Sequence, residues 1–269
     1  MTIHSSLTPA EDILEISAPV TTDSAGKSAK DAIQSVFRII DVERNTCGTG
    51  FLHKSGKIIT AAHVVANPQI DKIKIVQPGG SPLGVLDIAL DVDCDIAFVT
   101  PEKAINKTPL QITKASSFPV GTQVTTWGFP SGYSGGFPLL IVGYIAGVDA
   151  IASFSGKSIQ KYVVNAAFNS GNSGGPLLNM EDGTVIGVVS SKLAPIPLAV
   201  ANAIEALKKQ ETGIVHTKTT NDGKEIYVTE GQIVAEVLSH LRSQTQLVIG
   251  HAVSTTDLIS LLKREKIEP

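Results

Sequence analysis

The chain has 269 residues, 42% hydrophobic and 17% charged, which excludes an unstructured chain and allows one large or two small domains. With 22 Lys and Arg against 25 Asp and Glu, a formal charge of −3 and no long basic run, nucleic acid is not expected as a partner. No run of about 18 apolar residues is present to span a membrane, and two cysteines, Cys47 and Cys94, cannot build a disulfide framework.

Residues 1–30 read as a tail rich in Ser, Thr, Ala and Asp, with one short helix near Ala10–Ile16. The opening Met-Thr-Ile-His-Ser-Ser lacks a basic stretch followed by an apolar one, so no secretory signal is read and a cytoplasmic location is expected. From Ala32 to Ala199 short β-branched runs are separated by Gly, Pro and Asn. They are Val36–Val42, Lys57–Thr60, Ile73–Val76, Ile96–Thr100, Gln123–Thr126, Leu139–Ala146, Tyr162–Ala166 and Thr184–Ser190. Strand-sized runs at this spacing, with no long amphipathic helix between them, predict a β barrel or sandwich. The 24 glycines and 14 prolines, against 5% aromatics, point the same way. After Ala199 the period turns helical, with Val200, Ala203, Ile204 and Leu207 on one face. Ile214–Lys218 and Glu225–Thr229 then flank the hairpin signal Asn221-Asp222-Gly223. Ile233, Val234, Val237, Leu238 and Leu241 mark a second helix, and Ser254 with Asp257 predicts a capping box ahead of Leu258, Leu261 and Leu262.

Three segments carry chemistry. In Gly171-Asn172-Ser173-Gly174-Gly175-Pro176-Leu177 a serine sits among glycines, where a tight loop exposes the hydroxyl and lets successive N–H groups converge. A surface turn before a strand has the same composition, so this segment alone leaves both readings open. Thr60-Ala61-Ala62-His63-Val64-Val65 puts a histidine after two alanines at a strand end, open from one side; imidazole is the natural base for a hydroxyl near neutral pH. In Asp91-Val92-Asp93-Cys94-Asp95-Ile96-Ala97 an acidic cluster meets an apolar strand. Either the cluster is a solvated loop, or its last member, Asp95, turns inward to orient the imidazole.

In the order His63, Asp95, Ser173 these motifs resemble the chymotrypsin-like (trypsin-fold) serine peptidases, in particular the bacterial branch of HtrA/DegP-type proteases, over roughly Ser35 to Ala201. The resemblance implies an all-β fold of two six-stranded antiparallel β-barrels, about 31–115 and 116–200. A mainly helical C-terminal extension with a hairpin would follow over 201–269. It implies a serine endopeptidase acting through an acyl-enzyme, with Ser173 as nucleophile, His63 as base and then acid, and Asp95 orienting the imidazole. The N–H groups of Gly171 and Ser173 would form the oxyanion hole. Ser190 would contact the triad acid, and Ser190, Ser191 and Lys192 would pair with substrate backbone as an added strand. Ala167, Phe168 and Ser170 would wall the pocket for the residue before the cleaved bond (P1). Without an acid, that pocket favours small or medium apolar side chains and leaves a basic one unpaired.

Departures from the family pattern carry their own expectations. Asn172 stands where digestive relatives have an Asp that holds a new N-terminus, so activation by N-terminal insertion is not expected. Val64 replaces the cysteine that follows the histidine in secreted relatives, and Cys47 and Cys94 are expected as small buried hydrophobes. The residues after 200 lack the carboxylate-binding loop of a PDZ domain, which is expected to be absent. His4, His53, His216, His240 and His251 show no metal-ligand spacing, and no metal or cofactor is expected. Ser131-Gly132-Tyr133-Ser134-Gly135-Gly136-Phe137 reads as a mobile loop near the site, not a phosphate loop. Polypeptide substrates are the expected partners, and homo-oligomerisation stays open. The competing reading is a protease-fold scaffold or peptide-binding sensor whose hydrolysis is latent or lost.

Overall fold

Apolar residues at alternate and adjacent positions of the β runs demand a sheet covered on both faces. The structure, a computed structural model, describes residues 29–67, 69–153, 155–192, 198–219, 223, 225–244 and 249–268. The tail with the helix expected near Ala10–Ile16, and the turn residues Asn221 and Asp222, lie outside the described residues.

Helix α1 (Ala29–Ser35) leads into β1 (Val36–Asp41), which pairs antiparallel with β2 (Thr46–Leu52) from Val36↔Phe51 to Asp41↔Thr46. β3 (Ile58–Thr60), the short helix α2 (Ala62–Val65), β4 (Ile73–Val76), β5 (Pro82–Leu83), β6 (Val85–Asp91) and β7 (Ile96–Pro101) follow. They complete a seven-stranded sheet in the order β5-β4-β1-β2-β3-β7-β6, one strand more than expected. The period of two divides its side chains: Phe37, Ile39, Ile58, Ile75 and Val99 fill one core, while Phe51, Ile59, Ile96 and Phe98 fill another.

The second sheet begins with β8 (Gln123–Gly128), β9 (Leu139–Ala152), β10 (Ser158–Val164), β11 (Pro176–Asn179) and β12 (Val185–Lys192). The chain then enters a separate compact unit over 193–247. Within it lie α3 (Leu198–Lys208), β13 (Val215–Thr219), β14 (Glu225–Thr229) and α4 (Glu230–Gln244), and the expected hairpin pairs from Val215↔Thr229 to Thr219↔Glu225. β15 (Gly250–Ser254) and α5 (Thr255–Arg264) return to the first unit.

β15 slots between β10 and β12 and closes the barrel β10-β15-β12-β11-β8-β9. The expected barrel boundary near residue 200 is therefore corrected: a segment read as extension supplies the sixth strand. Its five residues pair with distant partners, such as Val253 with Val188, which local pattern does not reveal. The expected capping box is also corrected. Ser254 is the N-cap of α5 but makes no side-chain cap bond, and Asp257 instead accepts the N–H of Gln160 at 2.9 Å.

Trp127, Phe129, Val188 and Val253 of the barrel join Phe51, Ile59 and Phe98 of the sheet and Leu258, Leu261 and Leu262 of α5 in one apolar cluster. Burying each large side chain contributes about 1.5–3 kcal/mol, so this shared cluster ties sheet to barrel. Among the described residues no helix is long and apolar enough to cross a membrane.

Candidate active site

His63 lies in the first turn of α2, just past the strand end expected for it; Ala61 and Ala62 are buried behind it while the imidazole is exposed. Its Nδ1 is 2.9 Å from both oxygens of Asp95, and its backbone N–H donates to Asp95 Oδ1 at 3.1 Å. Asp95 adopts φ +57, a left-handed conformation that a short polar side chain tolerates better than most. The turn that presents it is braced from two sides. Asp91 accepts the Cys94 N–H at 2.6 Å, and Arg264 of α5 reaches the other Asp91 oxygen at 2.7 Å. Cys94 itself is fully buried, and burial pushes its thiol up to about 12.

Ser190 Oγ donates to Asp95 Oδ2 at 2.7 Å. Burial alone would raise the Asp95 carboxyl, but the bonds from His63 and Ser190 outweigh it and hold the group below the ordinary aspartate range. On the far side of Ser190, Lys161 of β10 donates from Nζ to the same hydroxyl at 3.3 Å.

The serine loop is shaped by glycines. Gly171 has φ +93, and a Cβ there would lie 2.2 Å from the Phe129 carbonyl oxygen. Gly174 has φ +86, and its Cβ would lie 2.1 Å from the Thr49 carbonyl oxygen. Both conformation and space therefore require glycine. The N–H groups of Asn172, Gly174 and Gly175 are bonded to the carbonyls of Asn169, Val189 and Asn172. Those of Gly171 and Ser173 make no hydrogen bond among the described residues. Ser173 Oγ donates to the Ser190 carbonyl at 3.1 Å and makes no bond to His63. The structure thus joins His63 to Asp95 directly and Ser173 to that pair through Ser190. Asn172 is fully buried, and neither polar atom of its carboxamide has a partner among the described residues.

Two contributors go unnoticed in the sequence. Thr49, fully buried on β2, donates from Oγ1 to the Gly171 carbonyl at 2.6 Å, accepts the Phe129 N–H at 3.0 Å on the same oxygen, and donates its own N–H to the Ser173 carbonyl at 2.8 Å. Its place between two glycines in Gly48-Thr49-Gly50 is the only local hint. Arg38 of β1 stacks over the Phe129 ring at 4.9 Å and donates to the Tyr133 and Gly135 carbonyls at 3.2 and 2.9 Å. With the Ser131 N–H bonded to the Ser170 carbonyl at 2.7 Å, the Gly-rich loop expected to be mobile is anchored at several points.

The expected substrate-binding residues fare unequally. Ser190 is buried with its hydroxyl on Asp95, and Ser191 and Lys192 lie on β12 with backbone partners His251 and Gly250; the side chains of Ser191 and Lys192 lie outside the described residues. Ala167 is half-buried and Ser170 exposed. Phe168 is corrected: it is 2% exposed, packed in the barrel core with its ring against Gly250, because β15 occupies the side on which an open wall was expected. Cys47 is corrected too, half-buried with Sγ 3.8 Å from Ser131 Oγ.

Of the other histidines, His53 is buried and burial lowers its imidazole to about 4, His251 faces Asp149 at 3.3 Å, and His216 faces Glu230 at 3.8 Å. Among the described residues no group of three His, Cys, Asp or Glu is placed to hold a metal ion.

Residues 48–188 match the family described as trypsin-like peptidase domain. The probable periplasmic serine endoprotease DegP-like of Buchnera aphidicola subsp. Baizongia pistaciae is 27% identical over 238 residues, covering 80% of this chain and 48% of the relative. Human serine protease HTRA4 is 33% identical over 154 residues, covering 54% of this chain and 30% of the relative. The chain thus spans about half or less of the length of these curated relatives. Among solved structures, the active form of the Rv3671c protease from M. tuberculosis shares the fold with a TM-score of 0.60 at 18% identity, over 94% of this chain and 89% of that one. The match spans more than half of the chain and includes His63, Asp95 and Ser173, and the chain belongs to the trypsin-like peptidase domain family.

Proposed function

We propose that the chain is a serine endopeptidase in which Ser173 attacks the peptide carbonyl, His63 takes and returns the proton, and Asp95 fixes the imidazole tautomer. The observation that carries this reading is the His63–Asp95 pair at 2.9 Å, closed by Ser190 and joined through the Ser190 carbonyl to the Ser173 hydroxyl. The free N–H groups of Gly171 and Ser173 suit an oxyanion hole, where each donor contributes about 2.7–4 kcal/mol to the transition state.

β11 pairs with β12 only as far as Val188, which supports substrate addition along Ser190–Lys192 as an extra strand. A substrate N–H bonded to the Ser190 carbonyl would displace the Ser173 hydroxyl from it. That hydroxyl then turns to His63 Nε2, attacks, and forms the acyl-enzyme as the amine leaves with the proton held by His63; water repeats the sequence to release the acid.

No acid stands in the 167–170 stretch beside the P1 site, which favours small or medium apolar side chains and leaves a basic P1 group buried unpaired. Cleavage-site profiling of a cell lysate with the full chain, against Ser173→Ala, tests activity and preference together. Cleavages after Ala or Val that vanish in the variant are expected. The same cleavage with both proteins removes the peptidase reading and leaves the scaffold.

A further inference from the structure

Resting on the reading of Ser173, His63 and Asp95 as one catalytic unit, we infer that Lys161 is a positioning residue of that unit. It is a cation that commits the Ser190 hydroxyl to Asp95 and so holds the Asp95 carboxylate in place against His63. A lysine ammonium only donates, so the 3.3 Å contact makes Ser190 Oγ an acceptor on that side. The single Ser190 proton is then directed to Asp95 Oδ2 at 2.7 Å, and Asp95 in turn accepts from His63 Nδ1 at 2.9 Å. Ser190 is 2% exposed, so water competes little for its hydroxyl and the successive bonds polarise one another.

Several other charged groups of these strands and turns are engaged elsewhere. Asp91 is held by Arg264, Asp93 accepts the Ser155 N–H, Asp257 accepts the Gln160 N–H and faces Lys157, and His251 faces Asp149. Lys161 forms no ion pair among the described residues. Its charge therefore acts on the Asp95–His63 pair through Ser190. Removing an ammonium from this side leaves the carboxylate freer to stabilise a positive partner, which sets the direction expected below.

The test compares the full chain with Lys161→Met and Lys161→Arg. One readout is the acid limb of kcat/KM for a cleaved peptide; the other is the NMR titration of the His63 Cε1–H signal, assigned by its absence in His63→Asn. In Lys161→Met both move to higher pH, by about half a unit or more, and Lys161→Arg restores them. In a Ser190→Ala background the Lys161→Met shift shrinks. An unmoved or downward shift overturns the role, and an undiminished shift in the Ser190→Ala background overturns the coupling through Ser190. The NMR titration needs no turnover, so a chain without peptidase activity fails the functional reading while still deciding this one.

Discussion

His63 and Asp95 sit on connections between strands of the seven-stranded sheet and Ser173 on a loop of the closed barrel, and the two sides are held by different means. On the sheet side the side chains themselves are fixed, with both Asp95 oxygens 2.9 Å from the imidazole and one also 2.7 Å from Ser190. On the barrel side it is the backbone that is fixed, by φ +93 at Gly171, φ +86 at Gly174 and the Thr49 clamp. The Ser173 hydroxyl hangs on one bond, to the Ser190 carbonyl. The His63 imidazole is held in place while Ser173 keeps a rotatable χ1, so the adjustable part of the candidate site is one torsion.

Deleting the adjustable part has the largest expected effect: Ser173→Ala lowers kcat by about six orders of magnitude with the melting temperature little changed. Peptide hydrolysis rates above that floor would show a second route to cleavage. Asp95→Asn breaks the fixed part, removing the acceptor that selects the tautomer, and costs about four orders of magnitude in kcat. A smaller loss, measured by initial rates, would mean that the sheet side is less decisive than its geometry suggests.

Thr49→Val probes the join between the two sides. It leaves the Gly171 carbonyl and the Phe129 N–H without their partner, and about 1–3 kcal/mol of stability is expected to go with them. The rate should fall through kcat more than KM; a denaturant midpoint and a rate both at the unaltered level would dissolve the clamp. The smallest effect is expected at the brace beneath Asp95. Arg264→Leu should cost about 1 kcal/mol near neutral pH, since the arginine is half exposed. Burial would raise the Asp91 carboxyl, but the Cys94 N–H and Arg264 hold it below the ordinary 3.8. That stability is present in full above 3.8 and is lost as pH falls through the lower folded value, so the gap in urea midpoints closes on acidification. A gap that persists in acid would assign the effect to packing.

The strands with alternating apolar residues were legible in the sequence, as were the three motifs and their order. Val36–Asp41 and Ile96–Pro101 carry their own period, and His63, Asp95 and Ser173 stand beside unusual neighbours. What stayed hidden depends on partners far away in the chain. Gly250–Ser254 becomes a barrel strand only because Val188 and Tyr162 flank it, and Asp257 serves Gln160 instead of its own helix end. Thr49, Arg38 and Lys161 act on loops and strands of other segments, and no spacing rule points from one to the other. Phe168 reads as a wall until β15 is placed beside it.

The central claim, that Ser173 is a nucleophile driven by a preorganised His63, is tested most directly by a fluorophosphonate probe with the modified residue located by mass spectrometry. The expected result is a single adduct on Ser173 in the unaltered chain, formed about a hundredfold or more slowly in His63→Ala. An adduct at another residue, or equal labelling with and without His63, would contradict it.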